Sequence, residues 1–263
     1  MVKNSKNIKA LLFVLLFMNV TFSLHAQLNK PEKKEKFPSY FGLQFKPLIP
    51  GDFLGTSQVK LNTDEFYTTF TQKFGYSFGA SVRVGLTKLI SLETGINQVQ
   101  RNYNIDFSVP DSNLTAHNDF GIINYDIPIN ALIYIQLTDK FFMNASLGGS
   151  LVFNPSDVKT QIADDNGNAF IHEGRRVSLL GFETNANFGL EYRTEKSGIF
   201  YLGISGRIPL RPIFDVAAVY DRNGYQKVSI GSMTGTYLSF DIRYYLPNIK
   251  TKGPQFIPGP IEQ

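Results

Sequence analysis

Alternation between apolar and small polar side chains is the feature that most constrains this fold. In the stretch FGYSFGASVRVG, residues 74–85, every second side chain is apolar, and the residues between them are Gly, Ser and Arg. Alternation of this length predicts a β-strand with one apolar face. That face either packs into the interior of a soluble protein or contacts lipid around a membrane barrel.

Segments of the same kind recur along the chain, without an amphipathic helix between them. They predict eight strands, at residues 39–47, 73–84, 89–100, 122–137, 140–153, 179–193, 199–210 and 234–246. Short turns follow the second, fourth and sixth strands, and long polar segments follow the first, third, fifth and seventh. This arrangement of an even number of strands is typical of outer-membrane barrels.

The two faces of these strands differ in a way that bears on what surrounds them. The apolar face carries no charge and is expected to contact lipid at positions that include Tyr76, Phe78, Ile127, Ile129, Phe188, Phe240 and Tyr244. The other face is rich in Gly, Ser and Asn, which suit a narrow lumen. A lipocalin-like soluble binding barrel, the alternative, would carry long charged residues on its outer face. The faces therefore favour an all-β fold, a closed antiparallel eight-stranded transmembrane β-barrel of the outer-membrane type.

The polar face also carries charges of both signs, which predict a network inside the lumen. Its members are Arg83, Glu93, Asp126, Glu183, Glu191, Arg207, Asp241 and Arg243. Strand direction places Asp126, Glu183 and Arg207 nearer the long loops and the other five toward the short turns. Because an eight-stranded barrel is just wide enough to be filled by side chains, we expect no open pore.

The first 26 residues have the order of a secretory signal peptide, with three lysines, an uncharged apolar run and a small residue at position 26. We predict a charged periplasmic leader at 27–37, the barrel at 38–247 and a proline-rich periplasmic tail at 248–263. Phe256 and Ile257 are the only apolar anchors that the tail offers a periplasmic partner.

Cysteine is absent from the chain, which excludes disulfides and the lipid anchor of a lipoprotein. The formal charge of +4 arises largely from lysines in the signal peptide and the leader. The remainder is nearly balanced, so no nucleic-acid partner is expected.

The fourth predicted strand, INYDIPINALIYIQL, contains a Tyr125, Ile127-Pro128 and Ile129 core. It resembles the corresponding strand of PorT-like eight-stranded outer-membrane β-barrel domain proteins, and the layout is also similar to OmpA-like surface barrels. Asn130 departs from the leucines that usually follow in such proteins. The closing strand TYLSFDIRYYLP resembles the aromatic-ended strand that the barrel-assembly machinery recognises. The resemblance implies residence in the outer membrane, in contact with its lipid, and supports no catalytic residue.

A non-enzymatic structural or interaction protein, acting through its surface loops or its tail, is the leading interpretation. An accessory of a protein-secretion machine is the alternative that the PorT-like resemblance implies, with an envelope or secretion-complex protein as partner. A barrel enzyme acting on lipid A or peptides is another alternative, centred on His117, with Ser112 and Asp111 nearby, or on His172 beside Glu173. These residues are expected in polar loops, and no catalytic residue, cofactor or metal is assigned.

Two short segments predict turns within the long connections. The segment DDNGN, residues 164–168, has oxygen ligands suited to calcium but lacks the bidentate Glu of a full binding loop, so a hairpin turn is the better interpretation. The segment DRNG, residues 221–224, predicts a protruding hairpin between FDVAAVY and YQKVSI. Tyr220 and Tyr225 would then either form an exposed contact surface or stabilise the hairpin.

Overall fold

The computed structural model describes residues 38–52, 55–87, 89–163, 167–194 and 196–247. The predicted signal peptide, leader and tail all lie outside these residues, which begin at Pro38, the first residue of the predicted barrel. The strands are β1 (Tyr40–Pro50), β2 (Gln58–Asn62), β3 (Tyr67–Gly85), β4 (Ile90–Val109), β5 (Leu114–Gln136), β6 (Phe141–Phe153), β7 (Val158–Ala163), β8 (Asn168–Arg176), β9 (Leu180–Arg193), β10 (Ile199–Pro209), β11 (Phe214–Arg222), β12 (Tyr225–Met233) and β13 (Tyr237–Tyr245). No helix within the described residues is long and apolar enough to cross a membrane.

Eight of the strands form a closed antiparallel barrel, as predicted. Neighbouring strands follow the order β1, β13, β10, β9, β6, β5, β4 and β3, and β1 also pairs with β3, which completes the circle. Every residue from Ile199 to Arg207 of β10 has a partner on β13 and another on β9. Closure leaves these strands without free edges through the body of the barrel.

Two local irregularities adjust the barrel wall. The β3–β4 ladder shifts register between Lys73 and Tyr76, which is the signature of a β-bulge. The β4–β5 ladder is interrupted beside Pro128, which has no backbone N–H to donate.

The long connections are strands, and the prediction of polar loops is wrong. β2, β7 and β8 were not predicted, and β3, β4 and β5 continue well beyond the predicted limits at residues 73, 100 and 122. We call this end of the molecule the upper end and the opposite one the turn end. The hairpin predicted after β10 is confirmed as β11 and β12, but it does not protrude alone, because β11 also pairs with β8 in a four-stranded sheet.

At the upper end two four-stranded layers pack face to face around an apolar core, and we call this unit the upper sandwich. One layer is β2 with the upper parts of β3, β4 and β5, and the other has the order β12, β11, β8, β7. Their shared core consists of Leu61, Phe66, Phe70, Tyr103, Ile105, Phe107, Val109, Phe120, Ile122, Phe170, Ile213, Phe214, Val216, Ala218, Tyr220 and Met233. Tyr220 is therefore buried, and the expectation that it forms an exposed contact surface is wrong.

The chemistry of the two faces inverts along strand β4. On its inward face, Glu93, Asn97 and Arg101 give way to Tyr103, Ile105 and Phe107. On its outward face, Leu92 and Ile96 give way to Asn102, Asn104 and Asp106. The inward face of β4 is therefore polar within the barrel and apolar within the upper sandwich. This is the pattern expected of a strand that leaves lipid and enters water.

The predicted turn at residues 221–224 is confirmed. Asn223 (φ 52°) and Gly224 (φ 87°) both adopt positive φ, as a two-residue type I′ turn requires. Asp221 Oδ1 accepts a hydrogen bond from the Gly224 backbone N–H at 2.9 Å. In the other turn, Ala163 pairs with Ala169, which brackets a hairpin whose tip at 164–166 lies outside the described residues.

Candidate functional sites in the barrel lumen and the upper sandwich

Five of the eight predicted lumen charges meet near the turn end. Arg83 contacts Glu93 (Nη2–Oε2, 2.8 Å) and Glu191 (Nη1–Oε1, 2.5 Å). Arg243 bridges Glu93 (Nη1–Oε1, 2.5 Å) and Asp241 (Nη2–Oδ2, 2.5 Å). All five side chains are almost completely buried, so each charge depends on its partners rather than on water.

Strand β13 adds a phenol to this turn-end cluster. The Tyr245 hydroxyl lies 2.6 Å from Arg83 Nη2 and donates a hydrogen bond to Glu93 Oε2 at 2.6 Å. The Arg83 guanidinium also lies 4.2 Å from the centre of the Tyr245 ring, within cation–π range. The cluster therefore ties the last strand of the barrel to β3 and β4.

The other three predicted charges form a second cluster nearer the upper end. Arg207 contacts Asp126 directly and lies 3.8 Å from Glu183 Oε2. Glu183 Oε1 is also 2.5 Å from Nη2 of Arg101. The Ser150 hydroxyl accepts a hydrogen bond from Arg207 Nη1 at 2.9 Å. Two bases and two acids therefore balance at this level of the lumen.

Sequence reasoning missed two buried members of these clusters. Lys46 Nζ lies 3.3 Å from Asp241 Oδ2, and it occupies the polar side of β1, where alternation alone could have identified it. Arg101 also donates hydrogen bonds to Asn124 Oδ1 and to the Gly235 carbonyl. Arg101 was missed because it lies one residue beyond the predicted end of its strand.

Small amides and hydroxyls fill the lumen between the two clusters. Asn187 Nδ2 donates to Ser205 Oγ (2.9 Å) and lies 3.2 Å from Asp241 Oδ2. Asn185 Nδ2 donates to Ser150 Oγ at 2.7 Å. The side chains thus interlock across the barrel, which leaves its interior polar and largely occupied.

A belt of exposed apolar side chains surrounds the barrel outside the lumen. Six of the residues predicted to face lipid are exposed by a third or more, and Tyr244 is half-buried. On β9, Phe182 and Tyr192 are ten residues apart. With a rise of about 3.3 Å per residue and a tilt near 40°, this separation gives a height of about 25 Å. An apolar band of this height is typical of outer-membrane barrels.

Both mature-region histidines lie in strands of the upper sandwich rather than in loops. On the outer surface, His117 Nδ1 is 2.9 Å from Asp106 Oδ1 and its Nε2 is 3.7 Å from Asp119 Oδ1. Asp111 lies exposed in a short 3₁₀ turn, and the side chain of Ser112 lies outside the described residues. The position of a nucleophile beside His117 is therefore taken by carboxylates.

His172 lies in the core of the upper sandwich, almost fully buried. Its ring is 4.8 Å from that of Phe120 and 6.4 Å from that of Phe70, centre to centre. Its neighbour Glu173 faces outward and pairs with Arg175 at 2.8 Å. Burial lowers the pKa of His172 from about 6.5 to about 4, so the ring is neutral at neutral pH. A neutral ring enclosed by aromatic residues is a packing group, without access for a substrate.

Metal-binding potential is low across the described part of the chain. No group of three or more His, Asp or Glu side chains there has an arrangement that could hold a metal ion.

The outer surface of the sheet β12–β11–β8–β7 carries an apolar patch. Val228, Val219 and Ile171 lie opposite one another on three successive strands. Beside them Ile230 is 71% exposed and lies opposite Ala217. We call these five residues the sandwich patch.

Comparisons with known proteins agree with the geometry of the barrel. The family model for an outer-membrane protein β-barrel domain matches residues 18–248. The crystal structure of OprG from Pseudomonas aeruginosa is similar, with a TM-score of 0.52 and 13% sequence identity over 82% of this chain and 99% of that one. None of the curated proteins matches the chain at a significant level.

A second solved structure, the transport unit of the autotransporter AIDA-I from Escherichia coli, aligns with 84% of this chain and 92% of its own. Its TM-score of 0.26 and identity of 10% are too low to bear on the fold. The family match spans most of the chain, and the closed barrel, its apolar belt and the OprG likeness agree with it. The chain therefore belongs to the family of outer-membrane proteins with this β-barrel domain, and it is a protein of the outer membrane.

Proposed function

We propose that this protein is a non-enzymatic interaction protein that presents the upper sandwich as a rigid surface to a partner protein. The observation that carries the proposal is the sandwich patch, which places contiguous aliphatic side chains on the outside of an ordered sheet. Exposed apolar patches of this kind, surrounded by polar residues, mark sites of protein contact.

The surroundings of the sandwich patch fit such a role. Asp215 and Arg175 lie opposite each other at one end of the patch, and Asp221 lies at the other. A charged rim around an apolar centre is the usual anatomy of a protein–protein interface. Because the patch is held by strands on a packed core, a partner would meet it without first ordering a flexible loop.

The opposite outer face of the sandwich is the natural comparison. On β3, β4 and β5 it exposes polar residues, among them Thr71, Asn104, Thr115, His117 and Asp119. A polar face of this kind gives little apolar area to bury, so we assign the contact to the patch rather than to this face.

The proposal is tested by site-specific photocrosslinking in living cells. A photoreactive amino acid at Val228 should capture a discrete partner, and Ile230→Asp in the same chain should abolish the captured band. Thr115→Asp adds the same charge to the polar face and should leave the band unchanged. Capture that persists in the Ile230→Asp variant would contradict the proposal.

We propose two alternative functions, each of which has less support from the structure than the interaction role. An accessory role in secretion, as the PorT-like resemblance implies, would bring periplasmic machine components into the crosslinks through the other end of the molecule. A barrel enzyme would use His117, yet carboxylates of Asp106 and Asp119 flank both ring nitrogens. An unchanged lipid A mass spectrum in a deletion strain would argue against the lipid A enzyme.

A further inference from the structure

A gap in the wall of the barrel lies above β9, where the wall meets the upper sandwich. Val177 donates a backbone hydrogen bond to the Ile213 carbonyl at 3.1 Å, and Leu210 donates one to the Phe182 carbonyl at 2.9 Å. Between these bonds, the two facing segments form no other backbone hydrogen bond within the described chain. Pro212 has no N–H to donate, so the sequence itself keeps this part of the wall unpaired.

A cavity of about 310 Å³ occupies this gap, and we call it the niche. Its outer rim includes Leu180, Phe182 and Leu210, all of them more than half exposed. Its floor, inside the wall, includes Val152 and Gly181. The lining as a whole is mostly apolar, with Asn154, Ser178 and Glu183 as polar groups on its inner side, and an apolar cavity of this kind suits a hydrocarbon ligand.

The niche is continuous with the lipid-facing belt. Leu180 lies opposite Phe153, and Phe182 lies opposite Leu151, in the ladder between β9 and β6. All four side chains are exposed on the outside of the barrel. An acyl chain in the surrounding membrane therefore reaches the rim of the niche without crossing water.

Arg211 provides a positive charge at the rim of the niche, and the carboxylate of Glu183 at its floor is already paired with Arg101. Arg211 is exposed, lines the niche, and forms no ion pair with the described carboxylates. A guanidinium in that position can donate paired hydrogen bonds to phosphate oxygens. At the floor, the Glu183 carboxylate is already engaged by Arg101 at 2.5 Å, so its charge is compensated.

We propose that the niche binds one acyl chain of an anionic membrane lipid that carries a phosphate, with that phosphate on Arg211. The membrane then extends into the wall at this single position, and the lipid seals the segment that Pro212 leaves unpaired. The occupant is a lipid of the surrounding leaflet, as the continuity with the belt requires.

Photolabelling of the full-length protein in lipid nanodiscs tests the proposal. The probe is phosphatidylglycerol with a diazirine near the end of one acyl chain, diluted into phosphatidylcholine. We expect labels at the floor residues Val152 and Asn154 as well as at belt residues such as Leu202. Labels confined to the belt would overturn the proposal.

Substitutions that fill the niche distinguish an acyl chain bound inside the cavity from one that contacts only its rim. A Cβ at Gly181 would lie 3.7 Å from Asn154 Nδ2 and 3.9 Å from Val152 Cβ, so Gly181→Ala fits without strain and serves as the control. Gly181→Leu extends into the cavity and should remove the floor labels while the Leu202 label stays. Val177→Trp, which fills the niche from another wall, should do the same. Floor labels that survive in both folded variants would overturn the proposal.

Two further experiments test the role of the lipid head group and whether the bound acyl chain belongs to a membrane lipid or to a free fatty acid. Arg211→Gln should lower floor labelling by phosphatidylglycerol about fivefold, the equivalent of ~1 kcal/mol for one basic residue beside anionic lipid. Equal floor labelling by a phosphatidylcholine probe would overturn the anionic head group. Floor labelling by a free diazirine fatty acid, but not by the phospholipid probe, would overturn a membrane lipid as the occupant.

Discussion

Glu93 shows what a single carboxylate contributes to the lumen. It accepts hydrogen bonds from Arg83, Arg243 and Tyr245, and all four side chains are buried. Glu93→Gln would leave two guanidinium groups short of negative charge. Because breaking a buried ion pair typically costs about 3–5 kcal/mol, we expect the free energy of unfolding to fall by about that amount. Urea titration of the protein in lipid vesicles measures it.

The control for this variant is an ion pair exposed on the upper sandwich. Lys73 Nζ lies 2.9 Å from Asp119 Oδ2, with both side chains about half exposed. Asp119→Asn should cost less than about 1 kcal/mol, since solvent screens surface pairs. Equal losses in the two variants would contradict the view that the lumen network is the stabilising one.

His172 makes the stability of the upper sandwich depend on pH. Its pKa is lowered to about 4 in the folded protein by burial, whereas an unfolded histidine titrates near 6.5. The unfolded state therefore binds the proton more tightly, and stability falls as the pH drops from about 6.5 to 4. The loss should approach about 3 kcal/mol below pH 4.

The His172→Phe variant isolates this effect. It keeps an aromatic ring between Phe70 and Phe120 and cannot be protonated. We expect the difference in urea midpoint between pH 7 and pH 4 to be smaller in this variant than in the wild type. An identical pH dependence in both proteins would show that other groups cause it.

For individual residues, strand alternation placed the predicted charges on the lumen face but missed two of their partners, Lys46 and Arg101. The alternation of strands put Arg83 and Glu93 on one face, and the structure brings them together. Lys46 was missed although the alternation of β1 places it on the polar face, and Arg101 was missed because it lies one residue beyond the predicted end of its strand.

Among the elements, β4 explains why the predicted strands are too short. The rule of alternation assumes that one face stays apolar along a strand. In β4 the apolar side changes near Gln100, so a search for constant faces ends there, although the ladder with β5 continues to Val109. In β3 the bulge between Lys73 and Tyr76 interrupts the alternation in the same way, so the predicted strand begins at residue 73 although β3 begins at Tyr67. A strand that crosses from lipid into water needs this reversal, and a single sequence gives little warning of it.

The reversal along β4 predicts that the same substitution destabilises the protein at one of its positions and has little effect at another. Ile105 is fully buried in the core of the upper sandwich, whereas Ile96 is 56% exposed in the belt. Ile105→Ala should create a cavity that costs about 2–5 kcal/mol and should accelerate hydrogen exchange in β8 and β11. Exchange in β9 and β10 should stay unchanged, because the barrel does not share that core.

The comparison is Ile96→Ala, which removes atoms from a surface that lipid can fill. Hydrogen exchange throughout the upper sandwich should then match the wild type. Faster exchange of β8 in this variant would mean that the barrel and the sandwich unfold as one unit.

The molecule as a whole should not conduct ions. Two balanced clusters of buried charges, with amides and hydroxyls between them, occupy the lumen. We expect no steady ionic current when the purified protein is inserted into planar lipid bilayers. A reproducible ohmic current would contradict a lumen closed by its side chains.

The architecture of the barrel could be predicted because each of its strands obeys the same two-residue period against the same two environments. The upper sandwich could not, since β2 and β7 are short, and the outward face of β8 mixes Ile171 with the charged residues Glu173 and Arg175. Their strand character comes from packing against Phe107 and Phe214 in a shared core, which is a property of the assembled chain.

The hydrogen bond between Arg83 and Tyr245 joins residues that are 162 positions apart. Contacts of such large sequence separation form late in folding, because a long loop must close before they are made. Until β13 arrives, Arg83 and Glu93 line an incomplete wall without the phenol that both contact. A chain truncated before β13 keeps Arg83 and Glu93 but lacks Asp241, Arg243 and Tyr245, so the turn-end cluster is complete only once the last strand is in place.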